Sequence, residues 1–499
     1  MGKALGGGIL LGTVGFLVSV VLVVFAFVAY AKGYVQGDEF HALVSKKIGE
    51  ALKAEIDLGE VRWENSSAFA NRVTAQGYED AGFAKLGLAG LRARLDVKMD
   101  HFRRGVWKVP EVTISQLDVK FSENDRLSGL FSDEFGNPED ATSLPSTSSD
   151  EAGENLFESL IPREMEMDEL RISTLNLYWD QGGKSGKATG MNAVAKPGHT
   201  NDSFRIRVQG GEFSQDSMPP LDIELLDLLW NHPSISIHDA RLVAENGGIL
   251  ELDGEIQMGS ESTPGDLLVN AKLSQMSLED FGESEEPRVR GSLLVEAKIT
   301  GDPERMEESR QEGTITINNG VVETTPLLKM LAQFTNSKRF ERVALRDGGS
   351  AKFVRVGERT VLTEIDFQSD GLARMTGSLV IEGERLDGDL ELGVVPGTLQ
   401  WIPFAEQKIF QSNREGHLWT SIKVGGTLDN PTNDLTPRLA AVSIDAAKDV
   451  LGRLLPQFQL PAEENGEGEG NESGDPVDMA TDAIEGAVDS VGGRMVRVS

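Results

Sequence analysis

The side chains best suited to metal or acid–base chemistry are scattered along this sequence. Its histidines lack the i, i+4 or alternate-residue spacing that metal sites use. They are His41, His101, His199, His232, His238 and His417. Only His232 and His238 are close in sequence, and they flank Pro233. We therefore predict no metal site and interpret each histidine as solvated or hydrogen-bonded within the fold.

Two glycine-rich segments suggest nucleotide binding but lack the residues that it requires. The run from Gly182 to Lys187 has no glycine five residues before Gly183, and Ala188 stands where a phosphate loop needs a hydroxyl. We interpret it as a polar hairpin tip. The Gly466, Gly468 and Gly470 series lacks the strand before it and the helix after it that a dinucleotide site needs.

No nucleophile motif stands out, since G-x-S-x-G does not occur and the chain has no cysteine. Carboxylates are so abundant that two lying close in sequence carry little information. The sequence thus predicts no catalytic residue, no cofactor and no enzyme activity. A hydrolase whose site assembles from dispersed residues is the alternative, and a deep polar cleft holding a nucleophile and a base would favour it.

The composition excludes other classes of protein. The 499 residues include 48 Lys and Arg against 80 Asp and Glu, for a formal net charge of −32. Nucleic-acid binding needs clustered basic residues, which are absent, so we expect no nucleic-acid partner. Without cysteine the chain cannot form disulfides or thiolate metal sites.

An uncharged apolar run from Gly8 to Tyr30 spans 23 residues. At about 1.5 Å per residue a helix of that length reaches about 35 Å, enough to cross a membrane. We predict a single transmembrane anchor in residues 1–31, with its helix at 8–30. The alternative is a cleaved signal peptide, since Ala29-Tyr30-Ala31 fits a cleavage pattern. A short leader favours a cytoplasmic amino terminus, with the bulk of the chain on the other side.

Beyond the anchor, the spacing of apolar residues first predicts a helix from Asp38 to Ala54 and then changes to a period of two. That helix packs on its own domain or, alternatively, contacts the membrane surface. From Leu91 to Met99 apolar and charged residues alternate, as in a strand with one wet face. A second strand up to Phe121 slips in phase at Ser115-Gln116, which predicts a bulge or a short turn.

Four further apolar stripes follow, each with polar residues on the opposite face. They comprise Leu250, Leu252 and Ile256; Leu293, Val295 and Ile299; Leu386, Leu390 and Leu392; and Leu418, Ile422 and Val424. One polar face per strand favours an antiparallel sheet, because doubly covered parallel strands are apolar on both faces. We predict a mainly β protein with an elongated, curled antiparallel sheet of repeated β units and a few amphipathic helices.

Two acidic segments interrupt or follow the β pattern. Residues 122–158 hold ten acidic residues and one basic residue, and 463–489 hold ten acidic residues and no basic residue. Such stretches bury too little apolar surface to order themselves. We predict a β region at 32–121, an acidic linker at 122–160, a longer β region at 161–435, an amphipathic helix at 436–460 and a flexible acidic tail at 461–499. A further helix opens at Thr325-Pro326.

Several of these patterns together are similar to the AsmA-like family of bacterial envelope proteins, relatives of TamB. They are the single anchor, the turn from Leu58 to Trp63, the strand pair from Leu91 to Phe121, the segment Gly313–Gly320 and the closing Gly425–Pro431 element. The resemblance covers about half the chain. It implies a periplasmic protein anchored in the bacterial inner membrane, an apolar groove of repeated β units, and a part in phospholipid traffic and outer-membrane homeostasis. Two departures are the acidic insertion after Phe121 and the modest length of the chain.

The leading hypothesis is therefore a lipid-handling protein that shields acyl chains on the four apolar stripes. About 0.8 kcal/mol per buried methylene makes such binding favourable without any catalytic residue. The alternative is a non-catalytic scaffold or assembly factor that binds other envelope proteins. Strands about 4.8 Å apart would need on the order of 40 to cross a gap of about 200 Å, more than this chain supplies.

Overall fold

A computed structural model describes most of the chain between residues 53 and 444. The described residues are 45, 49, 53–64, 66–78, 83–96, 106–121, 164–181, 184–198, 200, 203–216, 218–259, 263–281, 289–323, 339, 342–345, 348–369, 371–400, 402, 404–442 and 444. The predicted anchor at 8–30, the linker at 122–160, the strand residues 97–99, the helix that opens at Thr325 and the tail at 461–499 lie outside them.

The described part is built of strands. The first twelve are β1 (Ala54–Leu58), β2 (Val61–Glu64), β3 (Ser67–Gly77), β4 (Lys85–Asp96), β5 (Val106–Lys120), β6 (Glu164–Met167), β7 (Leu170–Gln181), β8 (Lys184–Pro197), β9 (Ser203–Gln209), β10 (Glu212–Gln215), β11 (Leu221–Asn231) and β12 (Ser234–Ala244). The others are β13 (Ile249–Gln257), β14 (Asp266–Ser277), β15 (Val289–Gly301), β16 (Arg310–Glu323), β17 (Arg342–Ala344), β18 (Gly349–Val356), β19 (Arg359–Ser369), β20 (Ala373–Glu382), β21 (Arg385–Val394), β22 (Ser412–Arg414), β23 (His417–Gly426) and β24 (Pro431–Asn433).

Helices are few among the described residues. Two 3₁₀ turns, Leu278–Phe281 and Pro303–Glu308, connect strands, and the short helix α1 covers Ala405–Lys408. A helix also begins at residue 435 and continues through 442, at the start of the helix predicted for 436–460. Ser45 and Gly49 are helical, as predicted, but the helix expected to reach Ala54 ends earlier, because Ala54 already pairs with Gly77 in the sheet.

All 24 strands belong to one long, curled sheet that is antiparallel almost throughout, as the single polar face per strand predicts. The exception is β5, which pairs in parallel with β6 and β7. A parallel neighbour needs a long crossover connection. Residues 122–163 supply that connection, and through the β5–β7 pairing the sheet runs without a break from the first β region into the second.

One face of the sheet is apolar from end to end, and strand register defines it. Directly opposed residues on paired strands point to the same face. One row of such partners runs through Leu226, Ala240, Leu252, Ala271, Ala297, Gly313, Phe353, Leu362 and Leu379. We call this the apolar face and the opposite one the polar face.

The phase slip predicted at Ser115-Gln116 is present and is shared by neighbouring strands. On β5 both Ile114 and Leu117 are fully buried, although they are three residues apart. The register with β4 stays unbroken across the slip, with Ala89 opposite Gln116, because Gly90 on β4 adopts a left-handed φ of 63° at the same point. The strand therefore continues through a local bend instead of ending in a turn.

Two hydrophobic clusters seal the apolar face at its two ends. The first core cluster extends over strands from β1 to β14, with Ile114, Leu175 and Leu221 among its fully buried members. The second core cluster lies at the other end and joins β21 and β23 to the segment around α1 and to the helix at 435–442. Its members include Leu392, Val394, Ile422, Leu399, Ile402, Phe410, Leu435 and Leu439.

The final edge of the sheet is closed by side chains as well as by strands. β22 and β24 each cover only three residues of β23. Between them the Asp434 carboxylate accepts a hydrogen bond from the Lys423 backbone N–H at 2.7 Å, and Arg438 donates one to the Ser421 carbonyl at 2.7 Å. Unpaired backbone groups on an edge strand invite other chains to add to the sheet, so these contacts protect the edge.

Candidate functional site

The apolar face between the two core clusters is the candidate functional site. In strands β15 to β20 it carries large apolar side chains that belong to neither cluster and remain partly exposed. We call this the open stretch. Its side chains are Val295, Ile315, Ile317, Phe353, Leu362, Phe367, Met375, Leu379 and Ile381.

Cross-strand pairing makes the open stretch continuous. Val295 lies opposite Ile315, and Leu293 lies opposite Ile317. Further along, Phe353 lies opposite Leu362, which in turn lies opposite Leu379. Apolar side chains from adjacent strands are about 5 Å apart at such pairs. The result is one connected apolar surface, and connected apolar surfaces of this kind mark binding sites.

A row of three small residues projects less from the sheet than the rows beside it. Ala271, Ala297 and Gly313 are successive partners on β14, β15 and β16. The neighbouring row on the same face carries Leu273 and Val295. A shallow furrow thus runs across the strands between taller aliphatic side chains, with Phe353 on β18 at its end.

The structure sorts the twelve predicted groove residues into three groups. Ile256, Leu386, Leu392 and Ile422 are buried. Leu250, Leu252, Leu293 and Ile299 are partly buried against the first core cluster, and Leu390, Leu418 and Val424 against the second. Val295 alone among the twelve lies in the open stretch. All twelve are on the apolar face. Eleven of them, however, are buried or pack against a core cluster and so do not line the open stretch.

Sequence reasoning missed most of the open stretch. Ile315 and Ile317 alternate with Thr316 and Asn318, which is the same signal that identified the other stripes. The β19 residues are harder to detect, because Glu364 adopts a positive φ of 50° and shifts the alternation between Leu362 and Ile365. A bulge of this kind hides a stripe from any strict period of two.

The polar face behind the open stretch is covered by cross-strand pairs. Lys272 lies 3.4 Å from the Glu296 carboxylate, and the Asn270 amide donates to Asp253 at 2.9 Å. A depression of about 760 Å³ on this face is lined by these side chains, by Glu312 and other charged groups, and by the intervening strand residues Ala271, Ala297, Gly313 and Phe353. Its acids and bases are mixed, so it presents no single charge to a ligand.

The strongest electrostatic feature of the polar face is the cluster around Asp227 on β11. Arg205 donates two hydrogen bonds to its carboxylate, at 2.8 and 2.7 Å, and Arg207 donates one at 2.8 Å. The hydrogen bonds from Arg205 lower the pKa of Asp227 from 3.8 to about 2, against the opposing effect of burial. The ionised Asp227 carboxylate and the two arginines thus form charged hydrogen bonds that hold β9 against β11.

The groups suited to chemistry do not converge in the part of the chain that the structure describes. His232 lies beside Trp230 with ring centroids 6.2 Å apart, and His417 lies beside Trp419 at 6.1 Å. No set of three or more metal-ligating side chains is found among the described residues. Gln181 at the end of β7 pairs with Lys184 at the start of β8, as the predicted hairpin requires.

No helix within the described residues is long and apolar enough to span a membrane. Comparison with protein-family models, with curated proteins and with solved structures finds no match to this chain.

Proposed function

We propose that this protein binds phospholipid acyl chains on the open stretch and shields them from water. The observation that carries the proposal is the run of partly exposed apolar side chains between two sealed clusters. A sheet built for stability alone covers its apolar face along its whole length, as both ends of this sheet do. The part between the ends, where Ala351 and Ile365 are buried but the larger side chains around them are partly exposed, is suited to an apolar ligand.

The energetics favour a long aliphatic chain as that ligand. Each methylene transferred from water contributes about 0.8 kcal/mol, so a chain of about 16 carbons contributes on the order of 10 kcal/mol before the costs of ordering it. The floor offers aliphatic and aromatic contacts, and the furrow at Ala271, Ala297 and Gly313 gives room for a chain lying across the strands. No chemical step is involved.

The cellular setting is part of the same proposal. The apolar run at 8–30 anchors the chain in the bacterial inner membrane, and the β region lies in the periplasm and contributes to outer-membrane lipid homeostasis. The resemblance to AsmA-like proteins supports this setting. Five pairs of strands share a position across the sheet, so the 24 strands form a sheet 19 strands wide. At about 4.8 Å per strand it extends about 90 Å, so one copy delivers lipid over part of the envelope.

Site-specific photo-crosslinking tests the proposal. Val295→p-benzoylphenylalanine places a photoreactive group in the open stretch, and Lys298→p-benzoylphenylalanine places the same group on the polar face of the same strand. After irradiation of living cells, mass spectrometry should find phospholipid attached at position 295 and none at position 298. Protein purified without detergent should also carry co-purifying phospholipid.

Other crosslinking results would favour the alternative function, an envelope scaffold. Crosslinks from position 295 to protein partners, with no lipid adduct, would support an envelope scaffold. A folded chain free of lipid and with no crosslink at position 295 would show that the open stretch does not hold acyl chains.

A further inference from the structure

Arg355 is placed unlike any other charged residue of the central sheet. Among the described residues that register places on the apolar face of β13 to β21, Arg355 is the only one that carries a charge. It follows Phe353 of the open stretch by two residues, so both side chains lie on the same face. A charge at this position borders the apolar surface directly.

Its neighbours on the same face are also polar. Arg355 lies directly opposite Gln311 on β16 and directly opposite Thr360 on β19. The same row continues into Ile299 on one side and Ile381 on the other. Three adjacent polar side chains thus form a short polar site bounded by apolar residues, in which Arg355 lies about 5 Å from Gln311 on one side and from Thr360 on the other.

The guanidinium of Arg355 is available to a ligand. Its Nε donates to the Gly357 carbonyl at 3.2 Å, and no carboxylate among the described residues pairs with it. Arginines of the polar face bind acids instead: Arg374, for example, donates to Asp366 at 2.9 and 2.7 Å. In a chain with a net charge of −32, an arginine on the apolar face without an acidic partner favours an anionic ligand.

We infer that Arg355, with Gln311 and Thr360, binds the phosphate of the lipid headgroup while the acyl chains lie on the open stretch. This inference rests on the proposed function. The planar guanidinium suits a phosphate, because its two terminal nitrogens can donate to two oxygens at once. The Gln311 amide and the Thr360 hydroxyl add neutral donors. The site lies one residue from the Gly357-Glu358 hairpin turn, where the apolar surface ends, so the headgroup stays in contact with water.

Two lipids with the same acyl chains, one with and one without a phosphoglycerol headgroup, test this inference. The full-length chain, delipidated in a non-ionic detergent, is titrated with dioctanoyl-phosphatidylglycerol and with dioctanoylglycerol. The wild-type protein should bind the first about tenfold more tightly. Arg355→Gln should reduce that affinity to the level of dioctanoylglycerol and leave dioctanoylglycerol binding unchanged. Arg359→Gln, on the polar face of the same hairpin, should change neither.

The other outcomes are distinct. The headgroup assignment would be overturned if the wild-type protein bound both lipids with equal affinity, or if Arg355→Gln lost its affinity for both lipids. Either result would leave the proposed binding of acyl chains by the wild-type protein standing. Displacement of phosphatidylglycerol by millimolar inorganic phosphate would assign the site to the free anion and would also overturn it. If the wild-type protein binds neither lipid, the proposed function itself fails.

Discussion

Val295 on β15 and Ile315 on β16 lie directly opposite each other on the apolar face, yet neither belongs to a core cluster. Both are partly exposed, whereas Leu221 and Leu117 on the same face are fully buried. One continuous face is therefore sealed at its ends and only partly covered in its middle.

This difference in burial predicts a difference in stability. Leu221→Ala removes a fully buried side chain and should cost about 2–5 kcal/mol of unfolding free energy, because it leaves a cavity. Ile315→Ala removes a side chain already in contact with water and should cost about 1 kcal/mol or less. Urea unfolding of lipid-free protein measures both. Equal costs would show that the open stretch is sealed in solution.

Acid should weaken the Asp227 cluster. The pKa of Asp227 is lowered to about 2, so its ionised form stabilises the fold above pH 4, and that contribution is lost as the pH falls towards 2. Asp227→Asn should cost about 1–2 kcal/mol at pH 7, given that both arginine partners are largely exposed, and clearly less at pH 2, where about half of the carboxylate is protonated.

A matched control uses the exposed pair Asp389 and Lys423, whose charged atoms lie 3.1 Å apart. Asp389→Asn should leave the unfolding transition unchanged at either pH, since exposed ion pairs contribute little. A cost for Asp227→Asn that persists undiminished at pH 2 would mean that the carboxylate acts by packing and not by charge.

The sequence predicted the strand content and the apolar stripes, because alternation is a local property. It could not predict which stripes are covered. Val295 and Ile422 look alike in the sequence, but Ile422 is buried with Leu399, Phe410 and Leu439, which come from segments whose position only the fold determines. The parallel pairing of β5 with β7 was equally hard to predict from the sequence. The acidic composition of residues 122–163 does not indicate which strand pairs with β5.

A third prediction concerns Gly254, which sits within β13 at a φ of 153°. A Cβ atom there would lie 2.2 Å from the Leu268 carbonyl oxygen of the neighbouring strand. Gly254→Ala should therefore destabilise the protein by about 1–3 kcal/mol, measured by thermal or urea unfolding. Gly425→Ala on β23, where the nearest atom is at an ordinary 3.5 Å, is the control and should be close to neutral.

The last prediction concerns the sheet edge at β23. Arg438→Ala removes the hydrogen bonds to the Ser421 carbonyl and to the Thr420 hydroxyl, and Asp434→Ala frees the Lys423 N–H. The double variant should expose an edge strand and associate through it, because unpaired backbone groups accept another strand. Light scattering at increasing protein concentration should show larger species for the double variant than for the wild type. Asp429→Ala, at an exposed position in the turn between β23 and β24, should scatter like the wild type. If the double variant keeps the wild-type size at every concentration, these two side chains do not protect the edge.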